Sequence, residues 1–332
     1  MWTYHKSCTS KVRLDNKVAV ITGANTGIGK ETARDFYKRG ARVILACRNV
    51  EKAKNAIEDI KNNLLSSTDN NSHQGKLGEF AVYPLDLCSL KSVRECAKEL
   101  LTIESAIHIL INNAGLMNSI HEKTENGFEV QLQSNYLGHF LLTLLLLPKM
   151  QSSGPGCKIV NVSSLSYILG TIHFNDMNLD RSYSSLKAYS QSKLANILFT
   201  KELARRLKEA GISGINVYSL HPGYIKNELA YQYAGAICPV PGMTFFYHYI
   251  MMPFMKNTIQ GAQTTIHCAV DEKVADETGL YYADCRVTRL YRKGRNNQMA
   301  KDLWDHTCRF LHLEPNDNFS TFLKSVSLQL VK

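Results

Sequence analysis

Residues 17–29 read Lys17-Val18-Ala19-Val20-Ile21-Thr22-Gly23-Ala24-Asn25-Thr26-Gly27-Ile28-Gly29, and this stretch decides the fold. Residues 17–22 form a short β-branched run and read as a strand. Residues 29–39 then read as a helix, stopped by Gly40. Between them lie Gly23, Gly27 and Gly29. A turn rich in glycine lets the backbone approach a pyrophosphate, and the helix start behind it offers free N–H groups and a favourable dipole. The spacing is G-x-x-x-G-x-G rather than G-x-G-x-x-G, and glycines also serve ordinary turns. Placement after the first strand of an alternating chain is what gives the motif its weight. Gly23, Asn25, Thr26, Gly27, Ile28 and Gly29 are the first candidate cofactor contacts.

The alternation continues outward from this point. Residues 41–46, 80–85, 107–111, 158–162 and 215–220 read as further strands, and 280–282 as a short seventh. Helical patterns occupy 51–62, 89–101 with Ser89 as N-cap, a region around 130–147, and 188–210. Strands separated by helices pair in parallel through right-handed crossovers. Strands that are apolar on both sides belong to a sheet covered on both faces. The expectation is an α/β fold: a Rossmann-type, doubly wound, mostly parallel seven-stranded sheet with helices on both faces. One domain over 1–332 is expected, with its core at 14–311. Residues 62–78 are polar and Ser/Asn-rich and read as a surface loop, and 316–332 read as a peripheral tail. No internal repeat is present.

Composition narrows the function classes. The 332 residues, 44% hydrophobic, can build a sizeable core and match neither a collagen nor a long coiled coil. The net charge is +10, and Arg286, Arg289, Arg292, Lys293 and Arg295 concentrate part of the excess. Such a cluster serves as a solvated face, a membrane-surface contact or a nucleic-acid contact. Apart from Tyr291 it has no aromatic stacking partners, so no nucleic-acid partner is expected. Nine cysteines without a CxxC pair point away from a disulfide framework and from a zinc site, and no metal is expected. No secretory signal is evident. The apolar run 140–147 is too short to span a bilayer and is closed by Pro148. Residues 236–255 are interrupted by Pro239, Pro241 and Pro253, which leaves a pocket wall or lid, a membrane-facing surface or plain core.

The end of the second strand bears on the cofactor. An NAD site usually places a carboxylate there to hold the ribose 2′-hydroxyl. Here the positions hold Cys47 and Arg48, with no Asp or Glu in the run. A carboxylate would repel a 2′-phosphate, whereas a guanidinium pairs with it. NADP(H) is therefore expected, against the alternative that Arg48 merely flanks the next helix.

With these residues in hand, the chain resembles the short-chain dehydrogenases/reductases over about 14–311. The motifs that carry the resemblance are residues 22–29, Asp86-Leu87, Asn112-Asn113-Ala114-Gly115, Asn135, Ser163-Ser164, Tyr189-x-x-x-Lys193 and Pro222-Gly223. The stretches TGANTGIGKETA, ILACRN, SNYLGHFLLT, AYSQSKLANILFTKELARRL and GLYYADCRV are similar to the retinol dehydrogenase branch. That resemblance implies an oxidoreductase interconverting an apolar aldehyde or ketone and its alcohol, foremost retinal and retinol. A broader carbonyl, steroid or lipid-aldehyde reductase of the same fold is the alternative. A cofactor-sensing binding protein on this fold is a third reading. The resemblance also implies cofactor contacts from Asp86 and Leu87 at the adenine end and from Asn113, Ala114 and Gly115 at the nicotinamide-side ribose. Pro222 and Gly223 would lie beside the nicotinamide. Four positions after that glycine the family often carries a hydroxyl; here Asn227 stands, whose amide can still hydrogen-bond a carboxamide.

Tyr189 and Lys193 are four apart on a predicted helix and share a face. A phenol with an ordinary pKa of ~10 needs help to trade protons near neutrality. An ammonium ~5 Å away supplies about 3 kcal/mol, roughly two pK units. Tyr189 is the expected acid/base, and Lys193 tunes it and holds ribose hydroxyls. Ser164 closes the fifth strand and would hold the substrate carbonyl, with Ser163 as its rival. Asn135 resembles the residue that anchors a water relay to the lysine. Tyr189 and Ser164 would both touch substrate. The substrate-binding lid region is expected at 224–258, where Tyr231, Phe245, Phe246, Tyr247, Tyr249, Met251, Met252 and Phe254 make an apolar set. Many relatives in the branch begin with a membrane anchor, and this sequence shows none before Cys8. The expectation is a cytoplasmic protein, with room for peripheral contact with an intracellular membrane and for a homodimer.

Overall fold

Successive residues of a strand face opposite sides of a sheet, and here both sides are apolar. Val18–Thr22 (β1) is buried throughout. Val20 joins one core cluster, while Ala19 and Ile21 join the other. Arg42–Cys47 (β2) repeats the division, with Ile44 in the first cluster and Val43 and Leu45 in the second. The computed structural model describes residues 6–66, 75–226, 255–314 and 318–330. The remaining strands are Glu79–Pro84 (β3), Ile109–Asn112 (β4), Cys157–Val162 (β5), Ile215–Leu220 (β6), Leu280–Ala283 (β7) and Arg286–Val287 (β8). Their order across the sheet is β3-β2-β1-β4-β5-β6-β7-β8. All neighbours are parallel except β7 and β8. Among the described residues the sheet has eight strands rather than seven. The extra strand is two exposed residues paired through Tyr282–Val287 and Ala283–Arg286, so it carries no apolar pattern to read.

Helices cover both faces. Gly27–Lys38 (α1), Val50–Ser66 (α2) and Thr258–Val270 (α7) bury Phe36, Ile60 and Ile266 in the second cluster. Leu90–Ile103 (α3), Gly138–Ser152 (α5), Ser185–Glu209 (α6) and Asn297–Phe310 (α8) build the first cluster. Ser89 caps α3 as expected, its hydroxyl accepting from the Ser92 N–H. The helix α2 runs four residues past its expected end at Asn62, so the beginning of the 62–78 stretch is helical. Residues 67–74 lie outside the described residues.

The expected helix around 130–147 is composite. Val130–Leu132 (α4) passes through a π-turn, Gln133–Leu137, into α5. Pro148 sits inside α5 rather than closing it. Residues 318–330, expected within a peripheral tail, carry Phe319–Ser327 (α9), which docks Phe319 and Phe322 against Trp304 and buries Leu323 and Val326. Gln329 then accepts from the Arg94 guanidinium. At the other end of the chain, Cys8 joins His267 and Asp271 of the α7 region, with one ligand-type atom from each within 4.8 Å of the others. Among the described residues, no helix is long and apolar enough to cross a membrane.

Candidate active site

The strand order reverses direction between β1 and β4, and in such sheets the crevice at the carboxyl ends of those two strands is where ligands bind. The glycine turn and the Asn113–Gly115 turn meet there. Gly23 has φ +65°, and a Cβ on it would lie 3.0 Å from Ala114 Cα. On Gly29 a Cβ would lie 2.6 Å from both Asn113 Nδ2 and the Gly23 carbonyl oxygen. Only glycine fits either place. Thr26 is the N-cap of α1, but its side chain caps nothing, so the first-turn N–H groups are not taken by a side chain. A bare helix start behind a tight glycine turn fits a pyrophosphate group.

The two turns are fastened by Thr22. Its hydroxyl oxygen accepts from the N–H groups of Asn113 and Ala114, each at 3.0 Å, and its carbonyl accepts from Asn113 Nδ2 at 2.9 Å. Asn112 points the other way, into the core, to Asn161 and Thr143. Cys47 is buried and Arg48 exposed at the end of β2. Asp86 follows β3, and its carboxylate accepts from the Cys88 N–H. Burial raises the Cys88 thiol, Asp86 adds to the rise, and Arg48 opposes it, which puts Arg48 on the same side as this turn. Leu87 is buried against Gly138, where an added Cβ would meet its Cδ2 at 2.9 Å.

The catalytic candidates converge on the same crevice. Tyr189 and Lys193 lie on α6, and Lys193 Nζ is 5.6 Å from the centre of the Tyr189 ring. Tyr189 is 5% and Lys193 3% exposed. Lys193 Nζ donates to the Val162 carbonyl at 3.1 Å. Burial pulls its pKa down to about 8. In front of it stands Gly115, where a Cβ would come within 3.2 Å of Nζ and 3.6 Å of Asn135 Oδ1. Asn135 lies in the π-turn. Its Oδ1 accepts from the Leu116 N–H at 2.8 Å, and its Nδ2 donates to the Leu116 carbonyl and to Ser192 Oγ.

The two serines separate. Ser163 is buried, and its hydroxyl donates to the Lys193 carbonyl at 2.7 Å. Ser164 is half-buried; its hydroxyl oxygen accepts from the Ser166 N–H at 3.2 Å, which leaves the hydroxyl hydrogen to donate. Of the pair, Ser164 has the hydroxyl that can face a ligand.

Pro222 and Gly223 follow β6. Burial pulls the neighbouring His221 down to about 4, and its Nδ1 accepts from the Gly223 N–H at 3.0 Å. Gly223 has φ +97°, and a Cβ on it would sit 2.9 Å from Lys256 Cδ. Lys256 Nζ donates to the Pro222 carbonyl at 3.3 Å and pairs with Asp284. A bridge between Ile225 and Lys256 joins the chain on either side of the stretch 227–254. Asn227 and the aromatic and methionine set from Tyr231 to Phe254 lie outside the described residues. The basic segment reaches the same edge: Lys293 Nζ donates to the Gly170 carbonyl at 2.8 Å, and the Tyr291 N–H donates to the Tyr167 hydroxyl.

Thr22, His139 and Lys256 are absent from the sequence-derived set. Thr22 and Lys256 act through partners far away in the chain, and His139 joins the near Asn135 carbonyl to the distant Thr22, so local spacing holds no sign of them.

Comparison with known proteins agrees with this geometry. The family described as short chain dehydrogenase matches residues 17–234. Retinol dehydrogenase 11 of Mus musculus is 45% identical over 306 residues, covering 92% of this chain and 90% of the relative. Retinol dehydrogenase 12 of Homo sapiens is 42% identical over 304 residues, covering 92% and 89%. Among solved structures, a putative uncharacterized protein from Mycobacterium paratuberculosis aligns with a TM-score of 0.68 at 32% identity, covering 91% of this chain and 95% of that one. A putative NAD(P)-dependent gluconate 5-dehydrogenase from Beutenbergia cavernae shares the fold at 21% identity, with a TM-score of 0.62 over 82% of this chain and 96% of its own. Sheet order, glycine turn, tyrosine–lysine pair and relatives agree: the chain belongs to the short-chain dehydrogenase family, whose members are NAD(P)(H)-dependent oxidoreductases.

Proposed function

We propose that this protein interconverts an apolar aldehyde or ketone and its alcohol with NADP(H), and that retinal and retinol are its best pair. The observation that carries the reading is the buried Tyr189–Lys193 pair, facing the β1–β4 crevice past Gly115. The names of the relatives at 41–45% identity support the retinoid.

Gly23, Asn25, Thr26, Gly27, Ile28 and Gly29 would hold the pyrophosphate side of the cofactor, Arg48 its 2′-phosphate, and Asp86 and Leu87 its adenine end. Asn113, Ala114, Gly115, Pro222, Gly223 and Lys193 would hold its nicotinamide end. The bound nicotinamide supplies hydride to the carbonyl carbon, or accepts it in the reverse direction. Ser164 donates a hydrogen bond to the substrate oxygen and fixes the carbonyl in place. Tyr189 gives its phenolic proton to the same oxygen as charge develops there, and takes it back in alcohol oxidation. Lys193 favours the phenolate by its charge. Asn135 keeps the lysine and the Gly115 turn in register. Residues 14–311 form the catalytic unit on this reading, and 224–258 bound the substrate side.

The test is loss of NADPH absorbance with all-trans-retinal against a panel of other carbonyls. Turnover with retinal supports the whole reading. Turnover only with steroids or lipid aldehydes keeps the chemistry and discards the retinoid. Tight NADPH binding with no turnover favours a sensor.

The cofactor assignment has its own test. Arg48→Asp replaces an attractive charge beside a 2′-phosphate with a repulsive one. A charge-assisted hydrogen bond contributes about 1.5–3 kcal/mol, so the ratio of NADPH to NADH kcat/KM is expected to fall by roughly 10- to 100-fold. An unchanged ratio would show that Arg48 only flanks α2.

A further inference from the structure

Between the cofactor-side turn and the π-turn sits a histidine that the proposed chemistry does not use. His139, in the first turn of α5, is 1% exposed. Its Nδ1 is 3.1 Å from the Asn135 carbonyl oxygen, and its Nε2 is 2.9 Å from Thr22 Oγ1. Burial pushes the imidazole down to about 3, with the nearby Lys193 adding to the drop. The ring is therefore neutral at working pH and carries one N–H. A carbonyl can only accept, so that hydrogen is on Nδ1. The Nε2 atom is then an acceptor, and it takes the Thr22 hydroxyl hydrogen. The other acceptor within reach of that hydroxyl, the Ile111 carbonyl, is farther away at 3.4 Å. The Thr22 oxygen keeps its lone pairs for the N–H groups of Asn113 and Ala114. The carbonyl facing Nδ1 fixes the imidazole hydrogen there, so the tautomer is determined by its partners.

We propose that His139, as the Nδ1–H tautomer, is a positioning residue that ties the cofactor-side turn to the π-turn and so sets Lys193 against the nicotinamide end of the site. This rests on the oxidoreductase reading above. At one end, Thr22 transmits the histidine's position to the main chain of Asn113 and Ala114. At the other end, the Asn135 carbonyl belongs to the residue whose side chain clasps Leu116 from both sides and reaches Ser192, the neighbour of Lys193. Gly115 lies between these anchored points and faces Lys193 Nζ. Movement at either end changes the gap in which tyrosine, lysine and cofactor must meet. Neither end is enough by itself: Thr22 alone holds the turn but not the lysine, and Asn135 alone holds the lysine side but not the turn.

The two links can be cut separately. An Asn amide places a donor near the position of Nδ1, and a Gln amide places an acceptor near that of Nε2. His139→Asn keeps the Asn135 link and loses Thr22, so it is expected to act mainly on the cofactor, raising the KM and dissociation constant of NADPH by about tenfold. His139→Gln keeps Thr22 and loses the Asn135 carbonyl, so it is expected to act mainly on kcat, lowering it by about tenfold. His139→Phe cuts both links and should show both effects; if it fails to fold, the Asn and Gln variants still decide. A loss of thermal stability in all variants, with kcat and KM of the folded protein as in wild type, would make His139 a structural residue and overturn the proposal. Nitrogen-15 NMR of the imidazole supplies a readout without turnover. A proton on Nδ1 is expected, and a proton on Nε2 overturns the proposal. Should the wild-type protein bind NADPH yet reduce no carbonyl, the functional reading fails, while the tautomer and the variants' NADPH dissociation constants still decide on the link.

Discussion

Replacing Tyr189 with Phe is expected to lower kcat by on the order of 10³-fold, within the range that a positioned acid/base contributes, while the NADPH dissociation constant stays within about twofold of wild type. The substitution removes one oxygen and keeps the ring that lies beside Lys193. The ring is almost wholly buried on α6, so its packing and the wall it offers to a cofactor persist. What is lost, on the proposed mechanism, is the hydrogen that the substrate oxygen needs as hydride arrives. Single-turnover absorbance of NADPH measures the chemical step, and fluorescence titration measures binding. Turnover near the wild-type rate would remove Tyr189 from its role, and loss of NADPH binding would make it a cofactor ligand instead.

Lys193→Met is expected to abolish activity to a similar extent and, at neutral pH without cofactor, to make the protein more stable. The ammonium is held in a buried place, where it donates to the Val162 carbonyl. Burial lowers its pKa from an ordinary 10.5 to about 8. At about 1.4 kcal/mol per unit, keeping the charge there costs roughly 3 kcal/mol below pH 8, less what the hydrogen bond to Val162 returns. The sign follows from proton counting. Between about pH 8 and 10.5 the unfolded chain binds more protons at this lysine than the folded one, so stability rises with pH across that window. Below pH 8 both states are protonated and the penalty is present in full. Methionine removes the penalty and the slope together. Thermal midpoints of the two proteins, taken from pH 7 to 10.5 without cofactor, test this. A variant that is no more stable at pH 7, or that keeps the slope, would refute it. On the proposed reading the same buried charge favours the phenolate, so stability here is given up for chemistry.

Most of the sheet was legible because its physics is local. Both faces of β1, β2, β5 and β6 are buried, and runs such as Val18 to Ile21 show it directly. The glycine turn was legible because Gly29 admits no side chain at all. The β8 strand was not, since Arg286 and Val287 are exposed and held by backbone pairing alone. The π-turn was hidden inside an apolar run that reads as an ordinary helix, yet it is the element that presents Asn135. Proline at 148 reads as a stop, but Met150 remains buried beyond it and tertiary packing carries the helix on to Ser152. The C-terminal helix did leave a trace: Phe319, Phe322, Leu323 and Val326 fall three and four apart, an amphipathic face that composition alone conceals. In the site, the tyrosine–lysine spacing could be read from one helix. Thr22 with His139 spans 117 residues, and such a contact has no local signature.

The bridge at Ile225 and Lys256 has a consequence for how such proteins diverge. The Lys226 N–H donates to the Lys256 carbonyl, and the Lys256 N–H donates to the Tyr224 carbonyl. These two bonds hold the chain at the spacing of adjacent strands, about 5 Å, however many residues run between. Whatever residues 227–254 contain, the clip at their two ends is main chain to main chain and asks for no particular side chain. On the proposed reading, a lineage could trade one class of carbonyl for another by rewriting those residues, while the proton-transfer apparatus is inherited unaltered.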